Sequence, residues 1–120
     1  MSLTKLFPMF LALAALAVFP ATASAKVRLV HVTSPVLAGD YATLKAKIST
    51  RRATCSITVY YKSGPSKAKG LYPKRTHNRR VSWTWKVGIR TTPGRWPIVV
   101  SCGRAGKLHT SFRVTSLGGT

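Results

Sequence analysis

The chain has 120 residues, with 20 Lys and Arg against a single acid, Asp40, and no Glu, for a formal charge of +19 at pH 7. One carboxylate cannot supply the two that glycosidase-type acid and base work requires, and a surface of one sign repels itself and attracts anions. The hydrophobic fraction of 45%, set out in regular alternation, excludes a disordered basic tail.

Residues 1–25, MSLTKLFPMFLALAALAVFPATASA, begin with a positive charge at Lys5, continue as an apolar run from Leu6 to Pro20 and close on Ala23-Ser24-Ala25. This is the three-part pattern of a cleaved secretory signal. The competing reading, a membrane anchor, needs about 20 apolar residues, and this run is shorter and interrupted by Pro8 and Pro20. No cysteine follows the run to take a lipid, and the tail SLGGT carries no evident sorting signal. The expected organisation is a signal peptide over 1–25 and one exported domain over 26–120, whose charge without Lys5 is +18.

Beyond the signal, apolar residues recur with period two, as half-buried strands require. An initial strand A is read over Lys26 to Thr33. Strand B, Tyr41 to Ser49, sets Ala42, Leu44, Ala46 and Ile48 on one face and Thr43, Lys45 and Lys47 on the other. Strand C, Thr54 to Lys62, turns Cys55, Ile57, Val59 and Tyr61 inward. The irregular stretch Ser63 to Arg80, SGPSKAKGLYPKRTHNRR, is longer than loops usually are. It predicts either a crossing between sheets, with a short extra strand near Gly70 to Tyr72, or a functional loop. Strand E places Val81, Trp83, Trp85 and Val87 on one face; strand F does the same with Trp96, Ile98, Val100 and Cys102, and strand G with Leu108, Thr110, Phe112 and Val114. Turn chemistry punctuates them at Ala38-Gly39-Asp40, Ser63-Gly64-Pro65, Thr92-Pro93-Gly94 and Gly103 to Gly106. Pro93 and Gly94 suit the central positions of a type II turn.

Cys55 and Cys102 are the only cysteines, and export to an oxidising compartment favours a disulfide between them over free or metal-bound thiols. Their positions test a topology. If A, B and E form one sheet and C, F and G the other, as in an immunoglobulin-type sandwich, Cys55 opens C and Cys102 closes F. Antiparallel neighbours bring those ends together. The predicted fold is therefore all-β: an immunoglobulin-like β-sandwich of two antiparallel sheets, about six to seven strands, with one disulfide lying within a sheet.

The stretches TSPVLAGDYATLKAKI, ATCSITVYYKSGPSKAKGL and VSWTWKVGIRTTPGRWPIVVSC together resemble the immunoglobulin-like β-sandwich domains of secreted and surface-anchored bacterial proteins. The W-x-W-x-V and T-x-P-G-x-W-x-I-x-V-x-C strands are the more specific part, and the resemblance covers nearly all of 26–120. It implies a fold and an extracellular or cell-surface setting, usually as an accessory or adhesive unit, and it brings no catalytic residue. The chain departs from the domains it resembles in its extreme positive charge and in the expectation that it stands as one domain.

The residues that carry chemistry elsewhere read here as scaffold. Asp40 sits in a turn, where a carboxylate ordinarily bonds neighbouring N–H groups. His31, His77 and His109 are available as bases, yet no serine stands in a nucleophile turn. The separation of the two cysteines is unlike the short paired spacings of zinc motifs. Trp83 and Trp85 are expected in the core, while Trp96 is read as closing its end, with Arg90 or Arg95 stacked nearby. No catalytic residue, metal or cofactor is called for, and no small-molecule substrate.

Charge is then the most informative functional feature. Lys45, Lys47, Lys86 and Arg113 point outward from strands. The segment after strand C adds Lys62, Lys67, Lys69, Lys74, Arg75, Arg79 and Arg80, with Tyr72 and His77 interleaved. Cations meet phosphate, sulfate or carboxylate while aromatic faces stack on sugars or bases. The expected partners are anionic polysaccharide, wall polymer or extracellular nucleic acid, with peripheral contact to anionic membrane. Two other classes compete: a cationic membrane-active effector, which needs an exposed apolar patch beside the charge, and a hydrolase or metal enzyme.

Overall fold

The computed structural model describes residues 26–117; the signal expected over 1–25 lies outside them. Nine strands follow in order: β1 (Val27–Val32), β2 (Val36–Leu37), β3 (Tyr41–Ile48), β4 (Thr54–Tyr61), β5 (Gly64–Pro65), β6 (Lys74–Arg75), β7 (Arg80–Lys86), β8 (Gly94–Ser101) and β9 (Lys107–Thr115). A 3-10 turn, Gly103–Ala105, precedes β9. The six long strands are the ones the alternation predicts. The three additional ones, β2, β5 and β6, are two residues each, too short to show a period.

One sheet has the order β1-β3-β7; the other runs β2-β9-β8-β4-β5, with β6 also pairing to β4. In the predicted lettering these are A-B-E against G-F-C, the two-sheet division that the alternation and the cysteine positions predict. All pairings are antiparallel except β2 with β9, where Val36 and Leu37 run parallel to Val114 and Thr115. The first segment thus serves both sheets, β1 in one and β2 in the other.

The inward faces supply the core. Ala42, Leu44, Ala46 and Ile48 of β3 and Val81, Trp83 and Trp85 of β7 pack over Ile57, Val59, Ile98, Val100, Phe112 and Val114, all buried. The disulfide joins Cys55 to Cys102, both buried, one step beyond the pair Ser56 and Ser101 in the β4–β8 register. It links neighbours inside one sheet, so adhesion between the sheets falls to side-chain packing. An aromatic cluster does much of this. Trp85 meets Phe112 edge-on at 5.7 Å, Tyr61 lies 6.1 Å from Phe112, and Trp96 stands edge-on to Tyr61 at 6.4 Å. The indole N–H groups find acceptors, as buried donors must: Trp83 Nε1 donates to Tyr72 O at 2.8 Å, and Trp85 Nε1 to the Tyr61 hydroxyl at 3.2 Å. Burial pushes the Tyr61 phenol pKa up, while the Trp85 hydrogen bond pulls the other way.

Several local expectations are corrected. The extra strand is not at Gly70 to Tyr72. Gly64–Pro65 folds back on Tyr60 and Tyr61, and Lys74–Arg75 pairs with Thr54 and Cys55. The stretch between them lies over the free edge of β7, where Lys74 Nζ donates to Ser82 O at 2.9 Å. Gly70, at φ +96, is pressed so close to the Thr84 carbonyl oxygen that a Cβ there would collide with it. Gly70→Ala should therefore cost about 2–3 kcal/mol, from strained φ plus displaced backbone. Urea unfolding would register this as a lower midpoint at unchanged slope, and a midpoint equal to wild type would mean that the segment does not seat against β7.

Gly94 has the positive φ expected of it, at 148°, but it already pairs with Val114 in β8–β9, and the hydrogen bond that closes a turn in this loop runs from Thr91 N–H to Gly88 O at 3.0 Å rather than across Pro93-Gly94. Trp96 Nε1 ties this loop by donating to Thr92 O at 2.8 Å. The cation over an aromatic ring is Lys74 on Tyr72, 5.2 Å from the centroid, rather than an arginine on Trp96. At the β2–β3 corner the connections among the described residues run through the backbone of Asp40. Its N–H donates to Leu37 O at 2.9 Å, and its carbonyl accepts from Val87 N–H at 2.8 Å.

Candidate functional site

All 19 Lys and Arg between Lys26 and Arg113 lie at least partly exposed, and Asp40 is the only side-chain carboxylate available to them. Strand register decides where they meet. On the outer face of the three-stranded sheet, Arg28 of β1, Lys47 of β3 and Arg80 of β7 stand abreast, and His31, Lys45 and Ser82 form the next row. Farther along, Thr43 and Thr84 join through their hydroxyls at 2.8 Å, and Tyr41 pairs with Lys86. Three like charges side by side oppose the pairing that holds them. The buried opposite face of each strand outweighs that opposition.

The Arg28–Lys47–Arg80 row ends at one pole of the sandwich, where β3 finishes and β4 and β7 begin. Two turns meet there. The first, residues 49–53, carries Arg51 and Arg52. The second is the two-residue hairpin of Asn78 and Arg79, closed by His77 N–H to Arg80 O at 2.8 Å and Arg80 N–H to His77 O at 3.0 Å. Three further hydrogen bonds bolt them together: Ile48 N–H to Arg79 O at 2.8 Å, Thr76 N–H to Ala53 O at 2.9 Å, and Ala53 N–H to Thr76 Oγ1 at 3.1 Å. The two turns on either side of the intervening groove are thereby held at a fixed spacing.

Asn78 and Arg79 have φ of 53° and 65°. A two-residue hairpin of this hand needs positive φ at both central positions, and Asn followed by Gly is the ordinary solution. Asparagine is in its usual place; arginine stands where glycine is expected, at a cost of about 1–2 kcal/mol.

The groove between the turns has a volume of about 500 Å³ and is lined by Arg51, Arg52, Thr76, His77, Asn78 and Arg79. A neighbouring groove of about 690 Å³ shares His77 and Asn78; its walls are Lys45, Lys74, Arg75 and Arg80, and Val30, Ala46 and Val81 contribute apolar surface. Lys26, Arg104 and Lys107 come to the same pole, Ser49 N–H donating to Lys26 O at 2.9 Å and Lys107 pairing with Ser101. Asp40 precedes the first residue of β3, eight residues long, and so sits about 27 Å from the pole at about 3.4 Å per residue.

Of the residues expected to bind polyanions, Lys74, Arg75, His77, Arg79 and Arg80 converge on these two grooves. Lys62 does not; it lines a separate groove of about 590 Å³ with Tyr61, Ser63 and Arg90. Lys67 and Lys69 are exposed on the stretch between β5 and β6 and border none of the three. Tyr72 is exposed, but its ring is engaged by Lys74, whose ammonium also holds Ser82 O. Lys74 is thus in part a clasp on the β7 edge. Arg51, Arg52 and Arg28 are additions. The tandem Arg51-Arg52 in the turn after strand B is the signal that could have found two of them.

The disulfide takes both cysteines out of consideration as nucleophiles or metal ligands, and among the described residues no three His, Cys, Asp or Glu side chains gather. His31 pairs across to Lys45 and His109 to Val99, in different sheets. Among the described residues no helix is long and apolar enough to cross a membrane. No protein-family model matches the chain, and no curated protein matches it either.

Proposed function

We propose that this chain is a secreted, non-catalytic binding module of the immunoglobulin-like kind found in exported and surface bacterial proteins, and that it holds anionic envelope or matrix polymers at its arginine-rich pole. The observation that carries this reading is the convergence of Arg51, Arg52 and Arg79 from two turns on one groove, at the opposite end of β3 from Asp40, the only acidic side chain. Surfaces selected for solubility alone mix both signs; here one sign is concentrated, and its mutual repulsion is offset only when counter-charge arrives. The buried disulfide accords with an oxidising compartment.

Binding of this type releases counterions, so affinity falls steeply with salt. Reversing Arg51, Arg52, Arg79 and Arg80 to Glu should lower affinity for a heparin-like or teichoic-type polymer by on the order of 100-fold at low salt and flatten the salt dependence. The same number of reversals at Lys62, Lys67, Lys69 and Arg90 should cost several-fold less. Equal losses from the two sets would mean that net charge alone matters, and retention unchanged between low and high salt would remove the electrostatic reading altogether. Anionic vesicles provide a further check: the module should bind without releasing their contents, whereas leakage would point to the membrane-active class.

A further inference from the structure

We infer that the groove between the 49–53 turn and the Asn78-Arg79 hairpin is a site for a tetrahedral oxyanion, a phosphate or sulfate ester group of the bound polymer, with Arg79 as its specificity-determining residue. This rests on the polyanion reading above and narrows it from charge to chemistry.

The groove's donors stand on separate walls. Arg51 and Arg52 come from one turn, Arg79, Asn78 and His77 from the other, and the Thr76 hydroxyl, which accepts from Ala53 N–H, keeps its own proton to donate. A carboxylate has two oxygens in one plane and is satisfied by the fork of a single guanidinium. A phosphate or sulfate group offers oxygens in several directions and suits donors arriving from two sides. The walls are held at Ile48–Arg79 and Ala53–Thr76 by backbone bonds, so the two turns that carry the donors keep a fixed spacing.

Arg79 is the telling residue. The hairpin would be easier to form with glycine at this position, yet an arginine is held there at φ 65°, and it lines the groove. The adjoining groove shares His77 and Asn78 and brings Arg75 and Arg80, so the two make a continuous track for successive anionic groups of one polymer.

The test uses purified protein with linear polyphosphate, dextran sulfate and polygalacturonate at matched charge concentration. Wild type should bind polyphosphate or dextran sulfate at least about 10-fold more tightly than the polycarboxylate, and the preferred one of the two identifies phosphate or sulfate as the natural group. Arg79→Gly should keep or raise the melting temperature, because glycine accepts this φ. It should lose about 5–10-fold in affinity for polyphosphate and dextran sulfate and change polygalacturonate binding less than about 2-fold. Arg52→Gln should reproduce that selective loss without touching the hairpin. Unaltered binding of polyphosphate and dextran sulfate in both variants, or equal wild-type affinity for all three polymers, overturns the oxyanion site while salt-sensitive binding still upholds the broader reading. Absence of wild-type binding to every polymer overturns both.

Discussion

Opening the Cys55–Cys102 bridge, by reduction or by alanine at both positions, is expected to lower stability by about 4 kcal/mol. The two residues are 47 apart in sequence, and a loop of that length sets this figure in the chain-entropy treatment. For a domain whose whole margin is about 5–15 kcal/mol, that is a large share. The loss matters more here because the folded state crowds 19 cations with one acid, a self-repulsion that compaction must overcome. Both half-cystines are buried, so partly unfolded forms should be reduced faster than the native one. Urea unfolding with and without reductant measures the difference, and repeating it at high salt separates the two contributions. Salt should restore part of the lost stability by screening but none of the chain-entropy term. A loss below about 1 kcal/mol would show that the bridge adds little to a fold already held by packing.

Trp85→Ala should be about as damaging, at about 3–5 kcal/mol. The bridge secures one sheet, whereas Trp85 secures one sheet to the other. Its indole is only 1% exposed, projects from β7 and meets Phe112 of β9 edge-on. Truncation leaves a cavity at the inter-sheet boundary and deprives the half-buried Tyr61 hydroxyl of the donor that Trp85 Nε1 supplies. Trp85→Phe keeps an aromatic face toward Phe112 but not the N–H, and should cost about 1–2 kcal/mol. Near-ultraviolet circular dichroism would follow the loss of fixed aromatic packing in both variants, and denaturant unfolding gives the energies. An alanine variant within about 1 kcal/mol of wild type would show that the sheets adhere by other contacts.

Much of this architecture is visible in residue order because strands announce themselves through period two. The inward residues of β3, β4, β7 and β8 are the buried ones, apart from Tyr61 and Trp96 at the strand ends, which are only partly buried, and the half-cystines follow from strand order, since the start of one antiparallel strand lies beside the end of its neighbour. The resemblance to exported bacterial sandwiches led to the same layout. Misplaced features were those with no period of their own. Two-residue strands such as β5 and β6 arise where a loop passes a longer strand with free hydrogen-bonding groups, and Gly70 is decided by the distance to Thr84 on another strand.

The candidate site divides in the same way. Five of the nine residues expected to bind, Lys74, Arg75, His77, Arg79 and Arg80, come to the basic pole because they are close in sequence and flank one hairpin. Lys62, Lys67 and Lys69 share their segment but not their location, since Gly64 turns the chain back on Tyr61 and the stretch after it lies along the edge of β7. Arg51 and Arg52 belong to the site because Ile48 bonds Arg79 and Ala53 bonds Thr76, contacts between turns more than 20 residues apart.

Composition and alternation by themselves determined that the chain is an all-β, strongly basic domain with its cysteines paired. Those properties depend on residue type and local period, which survive in one dimension. Only the tertiary structure decided which cations stand together, which one clasps a strand edge, and that an arginine occupies a left-handed turn position. Each of these depends on register and on backbone hydrogen bonds between distant segments.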